Sequence, residues 1–314
     1  MDILVIGTGN IGTLYGWALA EAGHNVTHMV RSGATRPPMA TLDVLDERGG
    51  KAVRRSGEYA WRIAEEPPAQ AQLVLVATPA TQVRDAVLPL AARYPEATFL
   101  TWAMEWDPVP LPSEVAARVL LGYPDSGGTR TPDCRYILSL GEEPHLGRRM
   151  VNGSLTGDKS RLDDVVALFS AAGFTPAIHE PFEPWLWVHA ANTVPYWLAL
   201  AEHRDMRRFV RDRGLLRDAF RASREVLAIV SARDVDLDDY DEAGTALHTP
   251  VWLFPFAFHL LYRTNEGMRR AAAHGVAGID EGLDLANQIV RSAEELDVPM
   301  PTFRTLQHRS VAAA

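Results

Sequence analysis

The sequence predicts an α/β domain over residues 1–178 followed by an all-α domain over residues 185–314. Three observations predict it. Short β-branched runs alternate with helical stretches through the first half. A glycine-rich turn follows the first of those runs directly. A proline-punctuated segment, Glu180-Pro181-Phe182-Glu183-Pro184, then ends the alternation, and strand patterns nearly vanish beyond it.

In chain order, Asp2–Ile6 reads as a buried strand, Ile11–Ala22 as a helix stopped at Gly23, and Asn25–Val30 as a second strand. Leu73–Ala77 and Thr98–Trp102 read as further strands, with weaker strand patterns at Tyr136–Leu140 and Ser154–Thr156. Arg161–Ala172 reads as a helix stopped at Gly173. Strands alternating with helices imply a mostly parallel sheet covered on both faces. Past the boundary, Trp185–Glu202, Leu215–Arg233, Pro250–Tyr262, Ile279–Leu296 and Pro301–Arg309 all read as helices. Their tryptophans and leucines suffice for a bundle core, and they either fill it or extend to a homodimer interface.

Composition narrows the class. The chain has 314 residues, 47% hydrophobic and 23% charged, as in a globular protein with a core of its own. One cysteine, Cys134, excludes an internal disulfide and fits a cytoplasmic setting. No apolar run is long enough for a membrane span, and the N-terminus lacks the basic start of a signal peptide. A net charge of −9 argues against a nucleic-acid partner. Basic residues are almost all arginine, the lysines being Lys51 and Lys159. The acidic stretch Asp234–Asp241 lacks the glycine and final glutamate of a calcium loop, and no His/Cys set has zinc spacing, so no metal site is expected.

Gly7-Thr8-Gly9-Asn10-Ile11-Gly12 matches G-x-G-x-x-G in the required context, between a strand and a helix. Gly7 permits the tight turn, Gly9 lets the backbone approach a pyrophosphate, and Gly12 lets helix and strand pack closely. The helix N-terminus then offers N–H groups and a positive dipole end. This is the fingerprint of a Rossmann domain. Arg31 follows the second strand, where NAD-specific domains usually place a carboxylate on the ribose 2′-hydroxyl. A guanidinium there suits a 2′-phosphate, so the expected cofactor is NADP(H). Ser32 adds a hydroxyl, Arg36 a second charge, and Thr78, Pro79 and Trp102 are expected to line the cofactor from later strand ends.

The whole chain resembles the ketopantoate reductase family. The resemblance rests on GTGNIG with Arg31, on Leu73–Val83, on Thr101-Trp102-Ala103-Met104, on the Gly157–Gly173 strand-helix unit, and on the boundary and helix that follow. It implies an α/β Rossmann N-terminal domain, an all-α C-terminal domain of the 6-phosphogluconate dehydrogenase type, and NADPH-dependent reduction of a 2-oxo acid. It also implies a lysine after the third strand, where Pro79 or a neighbour stands, and an asparagine at the next strand end, where Trp102 stands. Above all, it implies a proton-donating lysine on the first C-terminal helix, with an asparagine one turn later. Matching on Asn192 puts Val188 in the lysine's place, and matching on Pro195 puts Leu186 there. Neither donates a proton.

The same helix offers His189, Asn192 and Tyr196 at i, i+3 and i+7, on one face. Histidine titrates near neutrality and serves as a general acid, while Asn192 and Tyr196 would hold and orient the substrate oxygen. Glu281 falls near the glutamate that the resemblance assigns to substrate binding. Glu105, Asp107, Asn265 and His274 are further polar candidates. The reading is an NADPH-dependent reductase of a small 2-oxo acid or related ketone. Its alternatives are an imine reductase of the opine dehydrogenase type, a deazaflavin-dependent NADP reductase, which GTGNIG also resembles, and a protein that keeps the nucleotide but has lost hydride chemistry.

Overall fold

The computed structural model describes residues 1–151, 154–276 and 278–313. The chain divides into two compact units, Met1–Met104 with Pro108–Phe182, and Glu105–Asp107 with Glu183–Ala314. The fold is an α/β, Rossmann-like domain followed by a largely helical region.

The first unit begins with β1 (Asp2–Ile6), α1 (Asn10–Glu21), β2 (Asn25–Met29), β3 (Ala40–Asp46), β4 (Val53–Tyr59) and β5 (Arg62–Ala64). Next come β6 (Leu73–Val76), α2 (Ala80–Arg93), β7 (Thr98–Thr101), α3 (Ser113–Ala116), β8 (Val119–Tyr123), β9 (Ser126–Arg130) and β10 (Arg135–Leu140). It closes with β11 (His145–Arg148), β12 (Met150–Val151), β13 (Ser154–Leu155), α4 (Lys159–Ala171) and β14 (Ala177–His179). An eight-stranded sheet runs β14-β11-β8-β7-β6-β1-β2-β5, parallel except where β11 meets β8. β1 and β6 are central, which explains why their sequences are continuous apolar runs rather than alternating ones. One face of the sheet carries Tyr15 and Trp17 of α1 and Phe169 of α4. The other carries Val83, Val87 and Leu90 of α2.

A second, four-stranded sheet, β4-β3-β10-β9, is a departure from the expected single sheet. β3 pairs with β10 in parallel, although nearly ninety residues separate them in sequence. It matters for the site because β9 and β10 lie against the glycine turn, as described below.

The second unit holds α5 (Glu183–Leu200), α6 (Met206–Phe209), α7 (Arg213–Ser231), α8 (Asp241–His248), α9 (Phe254–Thr264), α10 (Glu266–Ala272), α11 (Ile279–Glu295) and α12 (Pro301–Ala313). α5 and α7 are its axis, and α11 and α12 pack against both. Their shared core includes Leu198, Phe220, Leu227, Ile289 and Phe303. The acidic stretch 234–241 forms a single turn of 3₁₀ helix, Leu237–Asp239, with the Asp236 carboxylate accepting from the Asp238 N–H. Among the described residues no helix is long and apolar enough to cross a membrane.

Residues 105–107 depart from sequence order. They follow a strand of the sheet yet pack with the helices. Trp106, 1% exposed, donates from Nε1 to Ser292 Oγ at 2.9 Å and accepts from Trp187 Nε1 at its carbonyl at 2.9 Å. The Arg233 guanidinium lies 4.5 Å from the centroids of both indoles. Asp107 pairs with Arg291 at 2.9 Å. Cation–π contacts and a buried indole together make this a strong anchor.

Candidate functional site

The glycine turn is built as its spacing requires. Gly7 has φ of +95°, closed to most side chains, and donates its N–H to Met29 O at the end of β2. Gly9 is the N-cap of α1, and a Cβ placed on it would meet nothing within 4 Å. The backbone there borders open space beside the first N–H groups of a helix, the cradle a pyrophosphate needs. Gly12 is the packing glycine: its Cβ would lie 3.1 Å from Gly7 O and from Val5 Cγ1.

The turn is held from the second sheet. Asn10 Nδ2 donates to Gly128 O at 2.7 Å, and Arg130 Nη1 and the Tyr136 hydroxyl donate to Thr8 O at 3.1 and 2.8 Å. Arg36 Nε donates to Thr8 Oγ1 at 2.9 Å. Two guanidinium groups thus flank Thr8 and make the turn electropositive. Arg130 lies far from the motif in sequence, so only the antiparallel β9–β10 pairing could have revealed it.

A second close approach lies one turn beyond. A Cβ on Gly16 would sit 2.6 Å from the ring of His28, which is fully buried on β2. His28 Nδ1 lies 3.3 Å from Gly7 O, and Nε2 lies 3.1 Å from the Tyr59 hydroxyl. A neutral ring satisfies both partners, donating to the carbonyl and accepting from the phenol. Burial lowers the His28 pKa to about 4, and the Gly7 carbonyl opposes that shift only in part.

At the end of β2, Arg31 donates from Nη2 to Gln82 Oε1 of α2 at 3.0 Å and makes no ion pair among the described residues. The Ser32 hydroxyl and the Gly33 N–H both donate to Glu65 Oε2, at 3.0 and 3.2 Å. Thr78 and Pro79 follow β6, Pro79 being exposed at the N-cap of α2. The Thr78 hydroxyl is buried without a hydrogen-bond partner among the described residues. Trp102 is placed otherwise than expected. It is 7% exposed, and its ring stacks on Tyr15 at 4.7 Å and packs edge-on to Phe169. Its indole fills the core behind the strand ends instead of lining an open surface.

In the helical unit, α5 carries no lysine, and Leu186 and Val188 are both core residues. His189 is held between two side chains. Its ring stacks on Trp185 at 5.1 Å with an interplanar angle of 7°. Its Nδ1 lies 3.1 Å from both Oε1 and Oε2 of Glu242, in the first turn of α8. The carboxylate fixes the Nδ1–H tautomer and compensates the charge of the acid form. Nothing in the sequence links positions 189 and 242, which lie 53 residues apart, so Glu242 was not foreseen.

The other expected members of that face are less favourably placed. Asn192 turns its Nδ2 back onto Val188 O at 3.2 Å. Tyr196 sits in an aromatic cluster with Phe254 and Phe258, and burial pushes its hydroxyl well above the usual range. Glu281 lies beside Gly282, whose Cβ would touch Trp197 at 3.1 Å. Asn265 is the N-cap of α10, its Oδ1 accepting from Met268 N. Burial lowers the His274 pKa. Glu105 and Asp107 flank Trp106 in the segment that groups with the helical unit.

Residues 3–102 match the family model for ketopantoate reductase PanE/ApbA. No curated protein matches the chain. Among solved structures, 2-dehydropantoate 2-reductase from Geobacter metallireducens superposes with a TM-score of 0.73, at 16% identity, over 100% of both chains. A dimeric ketopantoate reductase from Staphylococcus aureus gives 0.68, at 11% identity, over 100% of this chain and 98% of the other. D-mandelate dehydrogenase in complex with NADH gives 0.67, at 11% identity, over 99% and 98%. At these identities the likeness is one of fold.

Proposed function

We propose that this chain is an NADPH-dependent reductase of a small oxo compound, a 2-oxo acid or related ketone, belonging to the ketopantoate reductase family and using His189 in place of a lysine. The observation that carries the reading is the cradle of Gly7, Gly9 and Gly12, open above Gly9 and flanked by Arg36 and Arg130. The family match over residues 3–102 falls on this same segment.

Gly7, Thr8, Gly9, Asn10, Ile11 and Gly12 would hold the pyrophosphate, Arg31 and Ser32 the ribose end, and Thr78 and Pro79 the ring end of the dinucleotide. Bound, the nicotinamide supplies a hydride. The chain's own task is then to neutralise the charge that develops on the substrate oxygen. His189 does this from Nε2 while Nδ1–H stays on Glu242, so the ring is cationic before transfer and neutral after it. Trp185 holds the plane of the ring, and Asn192, one turn on, keeps one Nδ2–H on Val188 O and has the second for the same oxygen.

A second reading is favoured by one feature, the absence of lysine from α5. An imine is more basic than a ketone and depends less on a strong acid, so reduction of an imine also suits this helix. NADPH oxidation against 2-oxo acids, ketones and imines separates the two. Tight NADPH binding without turnover of any of them would leave only a non-redox role for the fold.

The assembly is proposed to be a homodimer. Trp252, Phe256, Leu260 and Leu261 are exposed on and beside α9, an apolar row of the kind that marks an interface. The dimeric relative of the same fold supports a second copy as the occupant.

A further inference from the structure

We infer that Glu65 limits selectivity for NADPH over NADH, by holding with its own carboxylate the donors that a 2′-phosphate would take. The inference rests on the dinucleotide reading proposed above.

β5 is the edge strand beside β2 and runs parallel to it, with Met29 opposite Ala64. Val30 donates its N–H to Ala64 O, so the chain continues side by side past the ends of both strands. Glu65 therefore emerges next to the β2 turn, on the side away from β1. Ligands of such sheets bind beyond the carboxyl ends of the strands. The turn after β2 is where the ribose 2′ position is read.

Two donors converge there on one oxygen. The Ser32 hydroxyl and the Gly33 N–H reach Glu65 Oε2 at 3.0 and 3.2 Å. Gly33 has φ of +75°, a backbone turn that favours glycine. Convergent hydroxyl and amide donors form an anion subsite, and here a carboxylate of the chain is the anion. The neighbouring Arg31 makes no ion pair among the described residues, so its charge remains available to a ligand.

A 2′-phosphate brings about two negative charges to this spot. It gains Arg31, but it must displace Glu65 and then tolerate a carboxylate nearby. A 2′-hydroxyl meets neither cost, and it can donate to the carboxylate. A cavity of about 420 Å³, bordered by Gly33, Arg36, Trp61, Ile63 and Glu65, gives the displaced side chain room. Arg31 and Glu65 therefore pull selectivity in opposite directions.

The test is a pair of fluorescence titrations, NADPH and NADH, on the wild type and on Glu65→Gln. Glutamine keeps an acceptor for Ser32 and Gly33 while losing the charge, so the turn stays intact. The expected result is an NADPH dissociation constant about tenfold lower in the variant, with the gain shrinking as salt is raised. The NADH constant should stay within about twofold. An NADPH constant that hardly moves, with binding intact, overturns the inference alone. A wild type that binds neither dinucleotide overturns the underlying reading and the inference with it.

Discussion

His189 Nδ1 lies 3.1 Å from each carboxylate oxygen of Glu242, while Trp185 stacks flat on the same ring. The pair joins the middle of α5 to the first turn of α8. It provides a fixed tautomer and a counter-charge for a helix that carries no lysine.

The first expectation concerns this pair. His189→Ala should lower kcat by about 10²–10⁴, the usual contribution of a positioned general acid. Glu242→Gln should lower kcat roughly tenfold or more with a smaller change in KM, because it disturbs the acid form rather than ground-state binding. Steady-state kinetics on the best substrate checks both. Full kcat in His189→Ala would remove the assignment.

The glycine packing gives a second expectation. Gly16→Ala would place a methyl carbon 2.6 Å from the buried His28 ring. The fully buried ring or the helix against it must shift, at a cost of about 1–3 kcal/mol. Thermal unfolding should show a clear fall in Tm. The shift also reaches Gly7 O, which His28 contacts, so cofactor affinity should weaken in parallel.

His28 also sets a pH dependence. Its folded pKa, about 4, lies below its ordinary value of 6.5. The unfolded chain therefore takes up a proton that the folded chain refuses. The stability is fully present above pH 6.5 and is lost as pH falls through the window down to about 4. Between pH 7 and pH 5 the loss from this group is about 2 kcal/mol. Urea midpoints at the two pH values should differ accordingly, and His28→Gln should flatten the difference.

The apolar row on α9 yields a fourth expectation. Leu260→Glu combined with Trp252→Glu should convert a dimer to a monomer in sedimentation or light scattering, with the fold kept, because both side chains are already exposed at 62% and 67%. A wild type that is monomeric at micromolar concentration would contradict the proposed assembly.

The sequence was most legible where one local rule governs. β1 and β6 are buried on both faces and read as near-continuous apolar runs. The long helices α5, α7 and α11 carry enough apolar residues to stand out, and each begins within two residues of its expected start. The glycine turn is legible because each glycine answers a separate steric demand. Legibility failed where the partner is remote. β4 reads VRRSGEY and is almost wholly exposed, and β9 carries two adjacent glycines, so neither shows strand alternation. Both exist because β3 and β10 supply their hydrogen bonds. Trp102 sits at a strand end, where cofactor contact was expected, but Tyr15 and Phe169 draw its ring into the core. Glu65, Arg130 and Glu242 owe their places to strand and helix packing, and no spacing rule reaches them.

The most direct measurement is NADPH oxidation by the purified protein, followed by absorbance, across a panel of 2-oxo acids and ketones. Turnover of at least one oxo compound, abolished or reduced at least about a hundredfold in His189→Ala, is the expected result. NADPH bound tightly with no turnover of any oxo compound would contradict the proposed reductase.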